Sequence, residues 1–132
     1  IFVGQTDSFG SGYNDAYLVK TDSEGNQEWM QAYGGTGTDH GRSVMQTFDD
    51  GYIVSGYTDS FGDSGFNFWL VKTDLFGNLE WQRSYGGTGD DRGFCALQAA
   101  DGGYIIAGYS NSNSNSVPDI LLIKTDDLGS TN

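Results

Sequence analysis

Four short segments with different hydrophobic patterns recur along the chain, and each pattern predicts a β-strand in a different environment. Two of them, represented by Tyr104–Ser110 and residues 120–125, are continuous apolar runs, which is typical of strands buried on both faces. The segment Leu79–Tyr85 alternates apolar and polar side chains and predicts a half-exposed strand. The segment 41–47 carries small residues, which suits a crowded position. No apolar period of 3.6 residues survives two turns between glycines, so we predict an all-β chain without helices.

The segments follow one another in a fixed order, which predicts units of four antiparallel strands. In the middle of the chain the predicted strands are residues 41–47, Tyr52–Thr58, 68–73 and Leu79–Tyr85. Their counterparts in the neighbouring units are Gln27–Tyr33, 93–99, Tyr104–Ser110 and 120–125. The third and fourth strands are joined by four residues with aspartate first and glycine last, the signature of a type I turn. These positions, which we predict to be structural, are Asp22, Asp74 and Asp126, with Gly25, Gly77 and Gly129.

This order reflects an internal repeat of 52 residues. Gly4, Gly56 and Gly108 stand at that spacing, and about half of the aligned positions in the first two copies are identical, without a gap. We divide the single segment 1–132 into copies 1–52, 53–104 and a partial copy, 105–132. The third copy departs from the others at residues 111–118, where we predict a flexible loop.

The repeat carries a motif that resembles a known family of repeats. Its parts are Lys-Thr-Asp-x-x-Gly-Asn-x-x-Trp at residues 20–29, Tyr-Gly-Gly at 33–35 and Asp-Gly-Gly-Tyr-Ile-x-x-Gly at 101–108. This pattern resembles repeats of secreted and lipoprotein-type β-propellers of bacteria and archaea. The portion from Asp to Trp is also similar to the docking-tryptophan repeat of quinoprotein-like propellers, but it is one residue shorter between Asp and Gly. The resemblance implies β-propeller blades of four antiparallel strands, arranged from the ring axis to the rim as small, buried, buried and half-exposed.

The expected ring does not close within this chain. Propellers have about 4–8 blades, whereas about two and a half repeats supply the last three strands of one blade, a complete blade and the first three strands of another. Three explanations stay open: a piece of a longer propeller, a protomer that completes a ring with copies of itself, or part of a larger structural assembly. In each case the partners are other propeller blades, from a longer parent chain or from copies of this chain.

The net charge and the composition disfavour several classes of partner and location for this chain. The net charge is −12, which disfavours nucleic acid and anionic membrane surfaces as partners, since both attract Lys and Arg. No apolar run approaches the ~20 residues of a membrane helix, and Cys95 is the only cysteine, which excludes an intrachain disulfide. Acidity and the resemblance together favour an extracellular or cell-surface location. We interpret the chain as a mature product or a piece of a longer protein.

No pattern in the sequence predicts catalysis, so we expect no enzymatic activity and no bound cofactor. His40 is the only histidine, and Arg92 replaces it in the next copy, which argues against a catalytic role. Cys95 aligns with Ser43 and is expected to be a small buried residue rather than a nucleophile.

Residues that recur in every copy are expected to be structural, whereas ligand-binding residues are sought in the loops. Trp29 and Trp81 recur and are predicted to pack between blades, with a sugar-stacking surface as the alternative. Carboxylates beside glycine-rich backbone provide the oxygen ligands that Ca²⁺ prefers, and the alternative is that they cap turns. These weak calcium candidates are Asp39, Asp90, Asp91, Asp7 and Asp59.

The sequence therefore favours a non-enzymatic extracellular β-propeller segment that serves as a binding or structural and assembly module. Besides other blades, a protein or a glycan is a candidate ligand. The alternative is a fragment of a larger propeller enzyme, a hydrolase or a quinoprotein-like oxidoreductase, whose active site lies outside this chain. Only the tryptophan motif favours that alternative, and it is a scaffold feature.

Overall fold

The chain folds as β-strands in the computed structural model, which describes residues 1–112 and 117–131. The strands are β1 (Phe2–Thr6), β2 (Asp15–Thr21), β3 (Gln27–Tyr33), β4 (Asp39–Gln46), β5 (Tyr52–Thr58), β6 (Asn67–Thr73), β7 (Leu79–Tyr85), β8 (Asp91–Gln98), β9 (Tyr104–Ser110) and β10 (Asp119–Lys124). The described residues contain no helix, and hence none that could cross a membrane. The all-β prediction is confirmed. The middle of the loop predicted to be flexible, 113–116, and residue 132 of the partial third copy lie outside the described residues.

The strands form three antiparallel sheets that follow one another along the chain. Sheet 1 has the order β1-β2-β3, sheet 2 the order β4-β5-β6-β7, and sheet 3 the order β8-β9-β10. Equivalent strands lie 52 residues apart, as β2 (Asp15–Thr21) and β6 (Asn67–Thr73) illustrate, except that β1 starts two residues late and β10 ends one residue early. The predicted strands are confirmed, with bounds that differ by two residues at most, and each sheet has the predicted number of strands.

The Asp–Gly turn that follows the third strand of the repeat (β2, β6 and β10) has the predicted geometry in all three sheets. The amide of the fourth residue donates to the carbonyl of the first, at 3.3 Å for Gly25 and Asp22 and at 3.2 Å for Gly77 and Asp74. The turn glycines have φ between 75° and 89°, a region that side chains with a Cβ rarely adopt. Glycine is therefore required by the backbone at this position.

Sheet 2 lies between the other two and shares an apolar core with each. The core between sheets 1 and 2, which we call seam 1, includes Leu18, Val54 and Trp69. The core between sheets 2 and 3, seam 2, includes Phe68 and Ile106. Every residue of β5 and β6 is buried, as their continuous apolar runs predict. The first strands of sheets 2 and 3, β4 and β8, also contact one another.

Burial of the equivalent strand in sheet 3 was predicted wrongly. Residues 120–125 have the same apolar run as 68–73, yet most of β10 is exposed or half-exposed. The reason is that the part of the chain that the structure describes forms no further sheet over the outer face of sheet 3. The half-exposed character predicted for Leu79–Tyr85 is confirmed for β7, in which Trp81 and Tyr85 pack into seam 2 while Leu79 stays exposed.

Candidate functional sites: two seams and two open faces

The recurring tryptophans lie in the seams, where each packs against the next sheet. Trp29 of β3 meets Tyr52 of β5 edge-on, with ring centroids 5.7 Å apart at 63°, and Trp81 meets Tyr104 with the same geometry. A Cβ at Gly77 would come within 2.8 Å of the Trp29 ring. Each indole thus lies against the Asp–Gly turn of the neighbouring sheet, where only glycine leaves enough space.

A tyrosine hydroxyl of the preceding sheet donates a hydrogen bond to each of the Asp–Gly turns in sheets 2 and 3. Tyr33 donates to the carbonyl oxygen of Gly77 at 2.6 Å, and Tyr85 donates to that of Gly129 at 2.7 Å. Burial raises the pKa of both tyrosines above the usual range, so the hydroxyls stay protonated and able to donate. A turn that sequence predicts as a local feature therefore also contributes to contact between sheets.

The carboxylates of the turn aspartates accept hydrogen bonds from the backbone amides of their own turns. Asp22 Oδ1 accepts the amides of Glu24 and Asn26 at 2.9 and 2.8 Å, and Asn26 Nδ2 donates to Oδ2 at 3.0 Å. Asp74 has the same set of partners in sheet 2. The Asn side chain, followed by the backbone amides, holds the pKa of both carboxyls below its usual value. The carboxylates of Asp22 and Asp74 therefore stabilise their turns by accepting these hydrogen bonds.

The candidate calcium ligands are distributed over separate loops. Asp39 is buried at the start of β4, where it accepts Gly35 N and Ser60 Oγ, both at 2.7 Å, together with Thr58 Oγ1. Asp91 is its equivalent in sheet 3 and accepts Gly87 N at 2.8 Å. The remaining candidates accept other donors: Asp59 accepts Thr38 N, Asp90 accepts Phe66 N at 3.4 Å, and Asp7 accepts Ser8 Oγ at 2.9 Å. Within residues 1–112 and 117–131, no three His, Cys, Asp or Glu side chains gather as a metal-ligand set.

Because these oxygens already accept N–H and O–H donors, we expect calcium to leave the stability of the chain unchanged. The measurement is thermal unfolding in excess CaCl₂ and in chelator, with MgCl₂ as the control for ionic strength. A specific site occupied at about 100 times its Kd would add about 2.7 kcal/mol of stability. A rise in the unfolding temperature with calcium but not with magnesium would show that the carboxylates do form a site.

A buried pair of carboxylates in seam 1 was missed by the sequence reasoning. Asp15 and Asp39 are both buried, and a Cβ at Gly34 would meet Asp15 Oδ1 at 1.8 Å and Asp39 Oδ2 at 2.7 Å. Asp15 Oδ2 accepts the amide of Ser11 at 2.6 Å, whereas its Oδ1 has no partner in the described residues. Burial raises the pKa of Asp15, and the Asp39 charge adds to this effect, while the Ser11 amide opposes it.

The equivalent position in seam 2 has a neutral side chain. Asn67 replaces Asp15 there, and its Nδ2 donates to the carbonyl oxygens of Asp63 at 2.9 Å and Gly65 at 3.1 Å. Burial alone would raise the pKa of Asp91, but hydrogen bonds from Ser110, Ser112 and backbone amides outweigh it and lower that pKa. The Asp15–Asn67 difference was visible in the sequence as a break in the repeat.

His40 and Cys95 take positions that do not combine into a reactive site in the described residues. The His40 ring packs 4.6 Å from that of Tyr57, its Nδ1 hydrogen-bonds Gln5 Oε1, and burial lowers its pKa. The expectation that Cys95 is buried is wrong, because the thiol is exposed on sheet 3. Its counterpart Ser43 is half-buried in sheet 2, which sheet 3 covers, whereas the described residues form no sheet beyond sheet 3.

The outer faces of sheets 1 and 3 are open and apolar. On sheet 3, Ile120 is 88% and Leu122 66% exposed, and on sheet 1 Phe2 is 62% exposed. Each lies on a strand whose equivalent in sheet 2 is fully buried.

No protein-family model matches the chain, and no curated protein matches it either.

Proposed function

We propose that the three sheets are successive blades of a β-propeller and that the chain is a non-enzymatic structural and binding module of an extracellular or cell-surface protein. Its immediate partners are further units of the same repeat, from a longer parent chain or from copies of this chain. The observation that carries the proposal is the pair of open faces. The acidic surface, with a net charge of −12, suits a protein that avoids nucleic acid and anionic membranes.

The repeat itself indicates what covers the open faces. Ile120 and Leu122 of sheet 3 stand 52 residues after Phe68 and Leu70, which are 0% exposed because sheet 3 packs against them. On sheet 1, Phe2 stands 52 residues before Val54, which is equally buried in seam 1. A neighbouring sheet of the same kind is therefore the cover that fits each face, as in other repeat architectures.

The strand edges support the same arrangement. Sheet 1 has no strand equivalent to β4, so β1 is left with an unpaired edge, and sheet 3 has no equivalent of β7 beside β10 in the described residues. Open strand edges are sites of pairing with other chains. The contact between β4 and β8 supports a radial order in which the small first strands lie nearest the axis.

We expect the chain to associate through its open faces, and the variant Ile120→Asp to prevent this. A charge at the centre of an apolar contact remains uncompensated after burial and opposes association by several kcal/mol. The measurement is the mass in solution by light scattering over a range of concentrations. We expect multiples of 14.3 kDa for the wild-type chain and a monomer for Ile120→Asp.

The variant Ser23→Asp is the matched control. It adds the same charge at an exposed turn position that is occupied by Asp127 in the third copy, so it should associate like the wild-type chain. A wild-type chain that stays monomeric at every concentration would contradict self-association, and the covering blades would then have to come from a longer parent. Equal behaviour of both variants would exclude a specific role of the sheet 3 face.

A further inference from the structure

An arginine is presented to solvent by a bulge at the edge of sheet 2. Sheet 2 has the order β4-β5-β6-β7, so β4 is an edge strand. Its pairing with β5 passes from Gly41 directly to Ser43, which leaves Arg42 without a partner in the ladder. Bulges of this kind turn a side chain away from the regular sheet and are frequent beside functional sites. Arg42 is exposed and therefore accessible to a ligand.

The guanidinium group of Arg42 has no carboxylate partner within ion-pair distance among the described residues. Its Nη2 donates to the Tyr57 hydroxyl at 2.6 Å, and its central carbon lies 5.1 Å from the centre of the Tyr57 ring. The chain has 18 acidic and 6 basic residues, so carboxylates are not scarce. Most of the N–H donors of this guanidinium therefore remain available to a ligand.

Tyr57 holds a second guanidinium and an imidazole beside Arg42. The guanidinium carbon of Arg92 lies 4.9 Å from the centre of the Tyr57 ring, and the His40 ring lies 4.6 Å from it. Arg92 Nη2 reaches Asp90 Oδ2 only at 3.4 Å, and Arg92 Nε has no hydrogen-bond acceptor in the described residues. Tyr57 itself is 3% exposed, so it supports these side chains and offers no surface to a ligand.

The charges of the two arginines produce a local positive potential. Burial lowers the pKa of His40, and the charges of Arg42 and Arg92 lower it further. The carboxylates of Asp39 and Asp59 oppose this effect, but each acts less strongly than either arginine. In a chain with a net charge of −12, this part of the β4 edge therefore favours an anion.

The repeat does not require these charges. Phe94 takes the place of Arg42 at the equivalent bulge of sheet 3, and its ring packs 5.7 Å from that of Tyr109. Arg92 takes the place of His40. Because phenylalanine satisfies the packing at this bulge, the Arg42 guanidinium is an addition to the scaffold. Residues that differ between the copies in this way are the ones expected to bind a ligand.

We propose that Arg42 binds the carboxylate group of a small organic acid or of an acidic sugar at the edge of sheet 2. The guanidinium fork matches the two oxygens of a carboxylate, and Tyr57 restrains the fork by accepting one of its N–H groups. A dianion such as phosphate fits less well, because Asp39, Asp59 and the acidic surface repel the additional charge. This binding site goes beyond the proposed role in assembly and does not depend on it, since all of its residues belong to one chain.

The test is an NMR titration that follows the ring protons of His40, which is the only histidine and hence an unambiguous probe of this site. Sodium glucuronate is compared with glucose, which has the same kind of ring without the carboxylate, at constant pH and ionic strength. We expect a saturable shift with glucuronate and none with glucose. Equal shifts with both sugars would overturn the proposal, as would the absence of a shift with both glucuronate and sodium acetate.

Two further probes identify the source of the carboxylate and test the class of anion. Acetate that binds at least as tightly as glucuronate would show that a free organic acid is sufficient. Weaker binding of acetate would show that the sugar ring contributes, and both results support a carboxylate site. Glucose 6-phosphate should bind more weakly than glucuronate, and equal or tighter binding would overturn the choice of a carboxylate.

Variants of Arg42 assign the binding to this side chain. Arg42→Gln should weaken glucuronate binding at least about ten-fold, since it removes hydrogen bonds to a charged group. Arg42→Lys keeps the charge but loses the fork, and its affinity should lie between those of Arg42→Gln and the wild-type chain. Arg83→Gln is the matched control, because it removes the same charge from an exposed arginine on β7, the other edge strand of sheet 2, and it should bind like the wild-type chain. Equal losses in Arg42→Gln and Arg83→Gln, or unchanged binding by Arg42→Gln, would overturn the proposal.

Discussion

Replacing Asn67 by aspartate is expected to destabilise the chain by about 3 kcal/mol at neutral pH, the scale of an uncompensated buried charge. The Asn67 side chain is buried, and its amide donates to the carbonyl oxygens of Asp63 and Gly65. A carboxylate at this position would face those two carbonyl oxygens without a proton to share. It would also lie close to Asp91, since both side chains crowd the same side of Gly86.

The loss of stability should disappear in acid. Burial and a neighbouring carboxylate raise the pKa of Asp15, the natural aspartate at this position of the repeat, and the same forces would act on residue 67. When the folded-state pKa lies above the unfolded value of about 3.9, the penalty is absent below about pH 4 and grows as the pH rises through the folded-state pKa. Urea unfolding from pH 4 to neutral pH measures this. If the variant does not fold at neutral pH, refolding on acidification gives the same information.

Asp15→Asn is the reciprocal variant and should stabilise the chain at neutral pH by about 1 kcal/mol, the net contribution of a typical hydrogen bond. An amide at position 15 can still accept from Ser11 and offers N–H donors to Asp39. Its advantage over the wild-type chain should vanish towards pH 4. Wild-type stability of Asn67→Asp at neutral pH would contradict the account, as would an Asp15→Asn variant whose advantage is independent of pH.

Strands and turns were predictable because their causes are local. Tyr52–Thr58 and Leu79–Tyr85 have the bounds that their apolar patterns indicate, and Gly77 has the positive φ that its turn requires. Burial was not predictable in the same way, because it depends on which sheets are present. The apolar run that is buried as β6 is largely exposed as β10, since a neighbouring sheet covers only the first of them.

The sites depend on contacts between residues that are distant in sequence, and most of them were missed for that reason. Asp15 and Asp39 meet only because seam 1 brings β2 and β4 together. Cys95 was expected to be buried, but its exposure is decided by the open face of sheet 3. In retrospect, comparison of the copies contained a usable signal, because Asp15 against Asn67 is a difference within a regular repeat.

Gly56→Ala is expected to destabilise the chain by about 3 kcal/mol, at the upper end of overpacking. A Cβ at Gly56 would lie 1.7 Å from the carbonyl oxygen of His40 and 2.8 Å from its carbonyl carbon. Both are backbone atoms of β4, next to the irregular pairing between Gly41 and Ser43, so no side-chain rotation can relieve the clash. Urea unfolding measures the effect.

Gly4→Ala is the matched control, and it also tests the proposed assembly. Gly4 is the same position of the repeat, but a Cβ there would meet nothing within 4 Å, because sheet 1 has no first strand beside β1. In the isolated chain we therefore expect a change within about 0.5 kcal/mol. In an assembly that supplies a strand like β4 beside β1, the same methyl group would meet a backbone carbonyl and weaken association. Equal costs for Gly4→Ala and Gly56→Ala in a monomeric chain would show that the glycine is required by the strand itself and not by its neighbour.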